Sequence, residues 1–289
     1  IALAGIDTGL IRRDYEIKDP GYYQLSEGGR LYRDWKEGGH GQVNLHKSIV
    51  ESVDTYYYNI GHKMGNEPMT GYMAKFGLGQ VTIVDQPEAV AAVLPTKSWK
   101  RAVRNASWFP GDSLNLSIGQ GFLSATPLQL ATMTMVMANK GKWHQVRMIK
   151  SIGGIEVDDI KQLQRSNPTI PDDINLRRSS DWERLHKAMI DVMHSSKGTG
   201  RRSGANSAYK IAGKTGTAQV KGIKQDEEYD AAKTAERLRD HGLFVGWAPA
   251  EKPAIVVAVI VENGGGGSSA AAPLARQMFD AWLLERNDG

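Results

Sequence analysis

One stretch organises the chain: Tyr209-Lys210-Ile211-Ala212-Gly213-Lys214-Thr215-Gly216-Thr217-Ala218-Gln219-Val220. An apolar lead-in, a Lys-Thr-Gly-Thr core and a β-prone exit predict a strand that ends in a charged, hydroxyl-rich strip. Gly216 lies inside this strand, where a missing side chain marks the close approach of a ligand or of another backbone. Lys214, Thr215 and Thr217 supply one positive charge and two hydroxyls, which together suit a carboxylate. The sequence therefore predicts a substrate that is acidic at one end.

A nucleotide site is the main alternative for this stretch, because Gly213-Lys214-Thr215 resembles the end of a phosphate-binding P-loop. That motif requires a second glycine five residues before Gly213, and position 208 is Ala208. It also requires a helix to follow, whereas the pattern of residues 218–222 does not predict one. A carboxylate-binding site formed by Lys214, Thr215 and Thr217, which we call the carboxylate cradle, is therefore favoured over a nucleotide site. Lys-Thr-Gly is also a motif of serine acyltransferases, which carry a Ser-x-Asn-type triplet and a Ser-x-x-Lys elsewhere in the chain.

The composition is ordinary for a globular protein. Hydrophobic residues make up 40% and charged residues 24% of the 289 residues. This length suits one large domain, so we expect residues 1–289 to form a single domain. The net charge of +4 suits an anionic environment but is too small to indicate nucleic acid as a partner. The chain has no cysteine, which excludes disulfides, zinc held by cysteine and a thiol nucleophile.

The first residues, Ile1-Ala2-Leu3-Ala4-Gly5-Ile6, already follow an apolar helical pattern, without an initiating Met or a capping residue. Such a pattern is typical of the interior of a helix. We therefore expect the sequence to be a piece of a longer polypeptide, whose targeting or anchoring elements lie outside it.

The apolar runs predict an α+β fold with an antiparallel sheet flanked by helices. Leu243 to Ala248 and Ala254 to Glu262 are rich in apolar and β-branched residues, and they predict two strands beside the Lys-Thr-Gly strand. Pro273 to Glu285 predicts a closing helix. Four apolar residues of this helix are expected on its buried side: Leu274, Met278, Phe279 and Trp282.

Ser52-Val53-Asp54 is a second motif of interest. A helix is predicted from about Leu45 to Met64, with its apolar and aromatic residues on one buried face. Residues two apart do not share a helix face, so Ser52 and Asp54 can meet one substrate only where the helix ends or a loop intervenes. By itself a Ser-x-Asp triplet is a weak signal.

Three potential metal ligands, Asp19, Asp34 and His40, lie in the turn-rich region 12–45. Their separations match no compact metal motif, and three oxygen or nitrogen ligands do not close a structural site. From spacing alone, loop carboxylates and a surface histidine are the favoured interpretation.

An ordered set of motifs resembles the transpeptidase domain of the class B penicillin-binding proteins. The set comprises Asp19-Pro20-Gly21, Tyr32-Arg33-Asp34-Trp35, Gly39-His40-Gly41, Ser52-Val53-Asp54-Thr55, Gly119-Gln120-Gly121, Thr126-Pro127-Leu128-Gln129, Lys214-Thr215-Gly216-Thr217-Ala218-Gln219 and Ala235-Glu236-Arg237-Leu238-Arg239-Asp240-His241. The resemblance covers essentially the whole chain and is closest to the members that act in cell elongation and rod-shape maintenance. It implies a β-lactamase-like α+β fold, with N-terminal strands missing from this chain. It also implies a peptidoglycan D,D-transpeptidase, in which a serine takes an acyl group from one stem peptide and passes it to an amine of another.

The resemblance assigns roles to the matching residues. It implies that Ser52 relays a proton and that Lys214 supplies positive charge. Asp54, where many relatives have Asn, would hold the substrate amide or orient its neighbours. The triplet Thr215-Gly216-Thr217 would bind the substrate, with the two threonines on its terminal carboxylate. The backbone N–H of Thr217 would form half of an oxyanion hole.

The nucleophile motif departs from the family pattern. Relatives carry Ser-x-x-Lys just before the segment that begins here at Ile1. The only literal match, Ser207-Ala208-Tyr209-Lys210, leads directly into the Lys-Thr-Gly strand. A nucleophile there would lie on the same strand as the carboxylate cradle and could not attack from across the cleft. We therefore interpret the chain as truncated, with its nucleophile outside this sequence.

A second departure concerns metal. Part of the family binds zinc through Asp, Asp, His and Cys, and the matching positions here are Asp19, Asp34, His40 and Val53. Valine cannot ligate a metal. We therefore expect no required cofactor, and zinc only as a weakened three-ligand site.

The resemblance also implies a location and partners. It implies a periplasmic domain anchored to the bacterial inner membrane, with stem peptides and β-lactams as ligands. A membrane glycosyltransferase and other elongation-complex proteins would be its protein partners. Two other functions remain open: a non-catalytic module that binds the same ligands, and a serine β-lactamase. Ser-Val-Asp in place of Ser-Asp-Asn disfavours the commonest β-lactamase class.

Overall fold

The structure is a computed structural model that describes residues 1–157, 168–220 and 234–285. The helices in these ranges are α1 Ala2–Asp7, α2 Leu45–Val50, α3 Asp54–Met64, α4 Asn66–Ala74, α5 Lys97–Arg104, α6 Pro110–Ser117, α7 Pro127–Ala138, α8 Ser180–His194, α9 Arg201–Gly204 and α10 Ala271–Leu283. A 3-10 helix covers Glu236–Leu238. The strands are β1 Glu16–Asp19, β2 Tyr22–Tyr23, β3 Tyr32–Arg33, β4 Gly41–Asn44, β5 Ser151–Ile152, β6 Ile155–Glu156, β7 Ala212–Ala218, β8 His241–Ala248 and β9 Ile255–Val261.

The main sheet is antiparallel and has the strand order β7-β8-β9. Lys214 of β7 lies opposite Val245 of β8, which in turn lies opposite Ala258 of β9. The three strands predicted here from the sequence are confirmed. Their β-branched and apolar runs form strands because such residues pack well on a half-buried pleated surface. β7 has β8 on one side only, so within the described residues its other edge carries no strand.

Helices cover this sheet and enclose the core. α8 packs on β7, while α7 and α10 pack on β9. Phe244 and Trp247 of β8 and Phe279 of α10 are fully buried where these layers meet. Among the described residues, no helix has both the length and the apolar character needed to cross a membrane.

The predicted orientation of α10 is wrong for three of four residues. Phe279 is buried, but the exposed fractions of Leu274, Met278 and Trp282 are 43%, 50% and 44%. The helix contacts the sheet through Phe279 and three buried alanines, Ala271, Ala272 and Ala275. Small side chains let a helix lie close to a sheet, and the larger apolar residues are then left on the outer side.

The strands β1 to β4 form two hairpin-like pairs before α2, with β1 against β4 and β2 against β3. The two turns that join them cross at Gly39, where an added Cβ would lie 2.3 Å from the Gly21 nitrogen and 2.4 Å from the Asp19 oxygen. Gly39 also has φ +73°, a conformation that favours glycine. This crossing fixes the spacing between Asp19 and His40.

Candidate active site

Ser52 lies in a sharp turn between α2 and α3. The single helix predicted from about Leu45 to Met64 is wrong, because α2 ends at Val50 and α3 begins at Asp54. Ser52 has φ +58°, which is uncommon for a residue with a Cβ and is typical of functional sites. The indole N–H of Trp35 donates to the Ser52 carbonyl at 2.9 Å and holds the turn. The interruption that Ser52 and Asp54 require is therefore present.

Lys214 lies in β7 and contacts this turn from the side of the main sheet. Its ammonium donates to Ser52 Oγ at 2.8 Å and to the Thr215 carbonyl at 3.0 Å. The contact joins residues 162 positions apart in sequence. Because Ser52 Oγ accepts from Lys214, its own hydroxyl proton is free to point elsewhere in the cleft. This is the arrangement that a proton relay requires.

Burial shifts the pKa values of two charged groups in this site toward neutral pH. Burial lowers the pKa of Lys214 to about 8, although the charge of Asp54 opposes the shift. Burial also raises the pKa of Asp54 to about 7, and the neighbouring Asp34 carboxylate raises it further while Lys214 opposes. Both groups therefore gain or lose protons within about one pH unit of neutrality, as acid–base groups of an active site must.

The open edge of β7 presents polar groups to the same cleft. Gln120 Nε2 donates to the Thr217 carbonyl at 2.7 Å, so this carbonyl points away from β8. In an antiparallel pair the N–H of a residue points to the same side as its carbonyl, so the Thr217 N–H also faces outward. Thr199 Oγ1 lies 2.8 Å from Thr215 Oγ1. The edge thus offers hydroxyls and a backbone N–H beside Lys214.

Gly216 lies where another backbone comes close, as the sequence predicted. The neighbour is Gly267, in the loop before α10. A Cβ added at Gly267 would lie 2.3 Å from the Gly216 oxygen and 2.1 Å from the Leu243 oxygen. A Cβ added at Gly216 itself would make only an ordinary contact with Leu243, at 3.4 Å. The residue that must lack a side chain is therefore Gly267 in the loop and not Gly216 in the strand.

Sequence reasoning gave no role to Gln120, Thr199 or Trp35. Gln120 lies between two glycines with positive φ, Gly119 at +80° and Gly121 at +77°. A polar residue held between two such glycines is a usable signal for a fixed loop contact. Thr199 lies in an ordinary Gly- and Ser-rich crossing, and its sequence neighbours give no comparable signal.

Asp19, Asp34 and His40 form a buried cluster whose ligand-type atoms lie within 4.8 Å of one another. The favoured interpretation of surface groups is therefore wrong: the crossing at Gly39 places all three inside. His40 Nδ1 lies 2.8 Å from Asp19 Oδ2 and 3.4 Å from Asp34 Oδ1. Asp34 Oδ2 also accepts the backbone N–H of Asp54 at 2.8 Å. The cluster thus supports the start of α3.

The charges of this cluster are set by opposing effects. Burial acts to raise the pKa of Asp19, but hydrogen bonds from Gly21 and His40 outweigh it, and the net shift is downward. Burial raises the pKa of Asp34, against hydrogen bonds from backbone N–H groups such as that of Lys36. Asp19 is therefore the better anion for His40.

This cluster does not complete the zinc site found in part of the family. A structural zinc site is tetrahedral and closed by four donors. Three are present, and Val53, which holds the fourth position by resemblance, is fully buried and has only methyl groups. The carboxylate oxygens already accept hydrogen bonds from Gly21, His40 and Asp54.

An open strand edge with hydroxyls beside a lysine–serine hydrogen bond is the setting in which serine acyltransferases carry their Lys-Thr-Gly motif. The family model for the penicillin binding protein transpeptidase domain matches residues 1–280. The chain belongs to this family, and the resemblance predicted from its motifs is confirmed.

Within the family, the chain is similar to penicillin-binding protein 2. It is 44% identical over 286 residues to peptidoglycan D,D-transpeptidase MrdA of Acinetobacter baumannii. The aligned region covers 99% of this chain and 41% of that relative. The chain therefore spans about two fifths of the length of this curated relative. The crystal structure of Pseudomonas aeruginosa PBP2 in complex with WCK 5153 is 43% identical, with a TM-score of 0.85 over 98% of this chain and 59% of that one. A complex between PBP2 and MreC from Helicobacter pylori is 29% identical, with a TM-score of 0.78 over 98% and 49% of the two chains. The predicted β-lactamase-like α+β fold is confirmed.

Proposed function

We propose that this chain is the catalytic domain of a peptidoglycan D,D-transpeptidase of the elongation type. The observation that carries the proposal is the 2.8 Å hydrogen bond from Lys214 to Ser52 Oγ, made beside an open strand edge. Family membership and the likeness to MrdA support the same activity. Stem peptides that end in a carboxylate are the proposed substrates, and β-lactams the proposed inhibitors.

Binding of the substrate uses the edge of β7. The Thr215 and Thr217 hydroxyls and the Lys214 charge hold the terminal carboxylate, because ionised groups form the stronger hydrogen bonds. The outward N–H of Thr217 points at the carbonyl that will be attacked and stabilises the negative oxygen of the tetrahedral intermediate. An extended substrate can lie along this edge in the manner of an added strand.

Proton transfer uses Ser52 and Lys214. As the serine nucleophile attacks, a C–O bond forms, the scissile C–N bond breaks and the departing nitrogen must gain a proton. Ser52 donates its free hydroxyl proton to this nitrogen and recovers one from the proton released by the nucleophile. Lys214, held on Ser52 Oγ, keeps the hydroxyl oriented throughout. Asp54 balances the charge of Lys214, and every step uses protein groups alone, so we propose no required cofactor.

The nucleophile is proposed to lie in a Ser-x-x-Lys segment that precedes Ile1 in the full-length protein. Ser207 is not proposed for this role. It lies in the turn before β7, where its Oγ faces the backbone N–H of Tyr209 at 3.5 Å. Ser207 comes before the first residue of β7, Ala212, whereas Thr217 lies near the last residue of the strand. The two are therefore at opposite ends of β7.

The proposed setting is the periplasm, with an anchor in the bacterial inner membrane. A membrane glycosyltransferase and other elongation proteins are the proposed partners. The Helicobacter pylori PBP2 structure, a complex with MreC, supports partners of this kind. Nucleic acid is not among them, since the net charge of +4 is modest for a chain of this length.

Intact mass spectrometry of the full-length protein after exposure to a penicillin tests the activity. We expect one covalent adduct per chain, mapped by peptide analysis to a serine upstream of Ile1. Absence of any adduct would contradict the proposal and favour a binding module that lacks catalysis. Rapid turnover of a chromogenic cephalosporin, without a lasting adduct, would instead identify a β-lactamase.

A further inference from the structure

A cavity of about 730 Å³ lies between α9, the turn before it and the first turns of α10. Its described lining contains three arginines and no carboxylate, together with the hydroxyl residues Thr199, Ser203, Ser268 and Ser269. None of these groups has a role in the steps proposed above. The cavity is therefore an electropositive recess with hydrogen-bond donors, which suits an anion.

One of the arginines, Arg276, is a fixed part of the wall. It forms a 2.8 Å ion pair with Asp280 and donates to the Ser203 carbonyl at 3.1 Å. Its charge is thus balanced within the chain, and its geometry is set by these contacts.

The other two arginines keep their charges available. Arg201 donates one N–H to the Ser196 carbonyl at 2.7 Å and has no carboxylate partner among the described residues. The Arg202 side chain makes neither a hydrogen bond nor an ion pair within the part of the chain that the structure describes. Both side chains belong to exposed residues that line the cavity. Each guanidinium can therefore bind a carboxylate without breaking an existing ion pair.

The cavity adjoins the carboxylate cradle of β7 on two sides. Thr199 lines the cavity, and its hydroxyl lies 2.8 Å from the hydroxyl of Thr215. Ser268 lines it as well, and the preceding Gly267 packs on the backbone of Gly216. A molecule held on the cradle can thus extend into the cavity past Thr199.

We propose that this cavity is an acceptor subsite, which binds an additional carboxylate on the amine that receives the acyl group. The inference rests on the proposed transpeptidase function. In the second half of that reaction the amine attacks the acyl ester, a C–N bond forms, the C–O bond to serine breaks and the nitrogen proton passes to the serine oxygen. This step has the form of the first half run backwards, with the acceptor amine in the place of the departing amino acid. By microscopic reversibility, the acceptor amine approaches along the same path.

The leaving group explains where the acceptor must lie. The departing amino acid carries its carboxylate on the carbon beside the nitrogen, and that carboxylate rests on Thr215 and Thr217. An acceptor of the same type reuses this cradle, and any larger side chain needs room beyond it. The cavity supplies that room, and Arg201 and Arg202 provide charge-assisted hydrogen bonds to a second carboxylate there. Acidic acceptors are therefore selected over neutral acceptors of equal size.

Acceptor exchange on the full-length protein tests this selection. The enzyme is acylated by a thioester substrate analogue in the presence of D-glutamate or D-glutamine, which match in size and differ in charge. Transfer products are measured by mass spectrometry and expressed as the ratio of the two acceptors, so any change in acylation common to both divides out. In the wild-type protein we expect D-glutamate to be preferred about tenfold, which corresponds to about 1.4 kcal/mol.

Arg202→Gln is expected to reduce this preference at least about threefold, because it removes a charge-assisted hydrogen bond. Arg12→Gln is the matched control, since Arg12 is an exposed arginine that pairs only with Asp14 at the surface, and it should keep the wild-type ratio. A ratio that is the same in the wild-type protein and in Arg202→Gln overturns the subsite while leaving the transpeptidase function intact. Failure of the wild-type protein to form any acyl-enzyme overturns the proposed function, and the subsite with it.

Discussion

Replacement of Lys214 by methionine should increase stability at neutral pH while it strongly slows acylation. Burial lowers the pKa of Lys214 from its ordinary 10.5 to about 8. The folded state therefore binds the lysine proton less tightly than the unfolded state does. The difference of 2.5 pH units is worth about 3.4 kcal/mol at 1.36 kcal/mol per unit. Methionine fills a similar volume without this charge, and it cannot donate to Ser52 Oγ.

The sign of the pH dependence follows from proton binding. Between pH 8 and 10.5 the unfolded wild-type protein binds more protons than the folded protein, so wild-type stability rises with pH in this window. Nearly all of the cost is present at pH 7, and about a quarter remains at pH 10. The stability advantage of Lys214→Met over wild type should therefore shrink by about 2.5 kcal/mol between pH 7 and pH 10.

Urea unfolding of both proteins at these two pH values, followed by tryptophan fluorescence, gives the required free energies of unfolding. Ionisable groups that do not contact Lys214 titrate alike in both proteins and cancel in the difference. Asp54 does not cancel, because without the Lys214 charge its pKa rises further and the variant loses additional stability as the pH rises, in the same direction as the predicted change. Lys142→Met, which removes an exposed lysine, is the matched control. The same Lys214→Met protein should react with penicillin at least about a hundredfold more slowly, because an electrostatic contact in the cleft is lost. A stability difference that stays constant from pH 7 to pH 10 would refute the reasoning.

Three further perturbations have defined outcomes. Asp34→Ala should lower the free energy of unfolding by about 3 kcal/mol in urea titrations, because buried backbone N–H groups lose their acceptor, whereas the exposed Asp14→Ala should have no measurable effect. Val53→Cys should retain one zinc ion per chain after dialysis, as measured by atomic emission, since it supplies a fourth donor; zinc retained equally by the wild-type protein would contradict our interpretation of the cluster. Gly267→Ala should lower the midpoint of thermal unfolding and slow acylation, because its Cβ would lie 2.1 Å from a backbone oxygen, at a cost of about 2 kcal/mol or more. Gly71→Ala, in a helix with open space around it, should be neutral or stabilising by up to about 1 kcal/mol, and a similar loss at both glycines would show that the packing at Gly267 is not the cause.

Much of the sheet could be predicted from local pattern. β8 and β9 are runs of apolar and β-branched residues, and period and composition were enough to locate them. The facing of α10 could not be found this way, because its large apolar residues and its alanines both follow a helical period. Which side touches the sheet depends on how closely the two elements approach, and only the assembled layers fix that distance.

The site shows a different limit. Motif order indicated that Ser52 and Lys214 belong together, although they are 162 residues apart, but no local rule predicts the positive φ of Ser52. That conformation depends on Trp35 and on the start of α3, both fixed by the fold. The same holds for the contact of Gln120 with Thr217, which spans 97 residues. Spacing alone favoured a surface position for His40, and only the crossing of two turns buries it.

The contact between Gln120 and the Thr217 carbonyl bears on inhibitor chemistry. A ligand whose amide N–H binds this carbonyl must either share the oxygen with the Gln120 side chain or displace it, and displacement exchanges one hydrogen bond for another with little net gain. A compound that leaves Gln120 in place and binds only the Thr217 N–H and the neighbouring hydroxyls avoids this exchange. Potency at this strand edge is thus best sought by adding acceptors to a scaffold and not by adding donors.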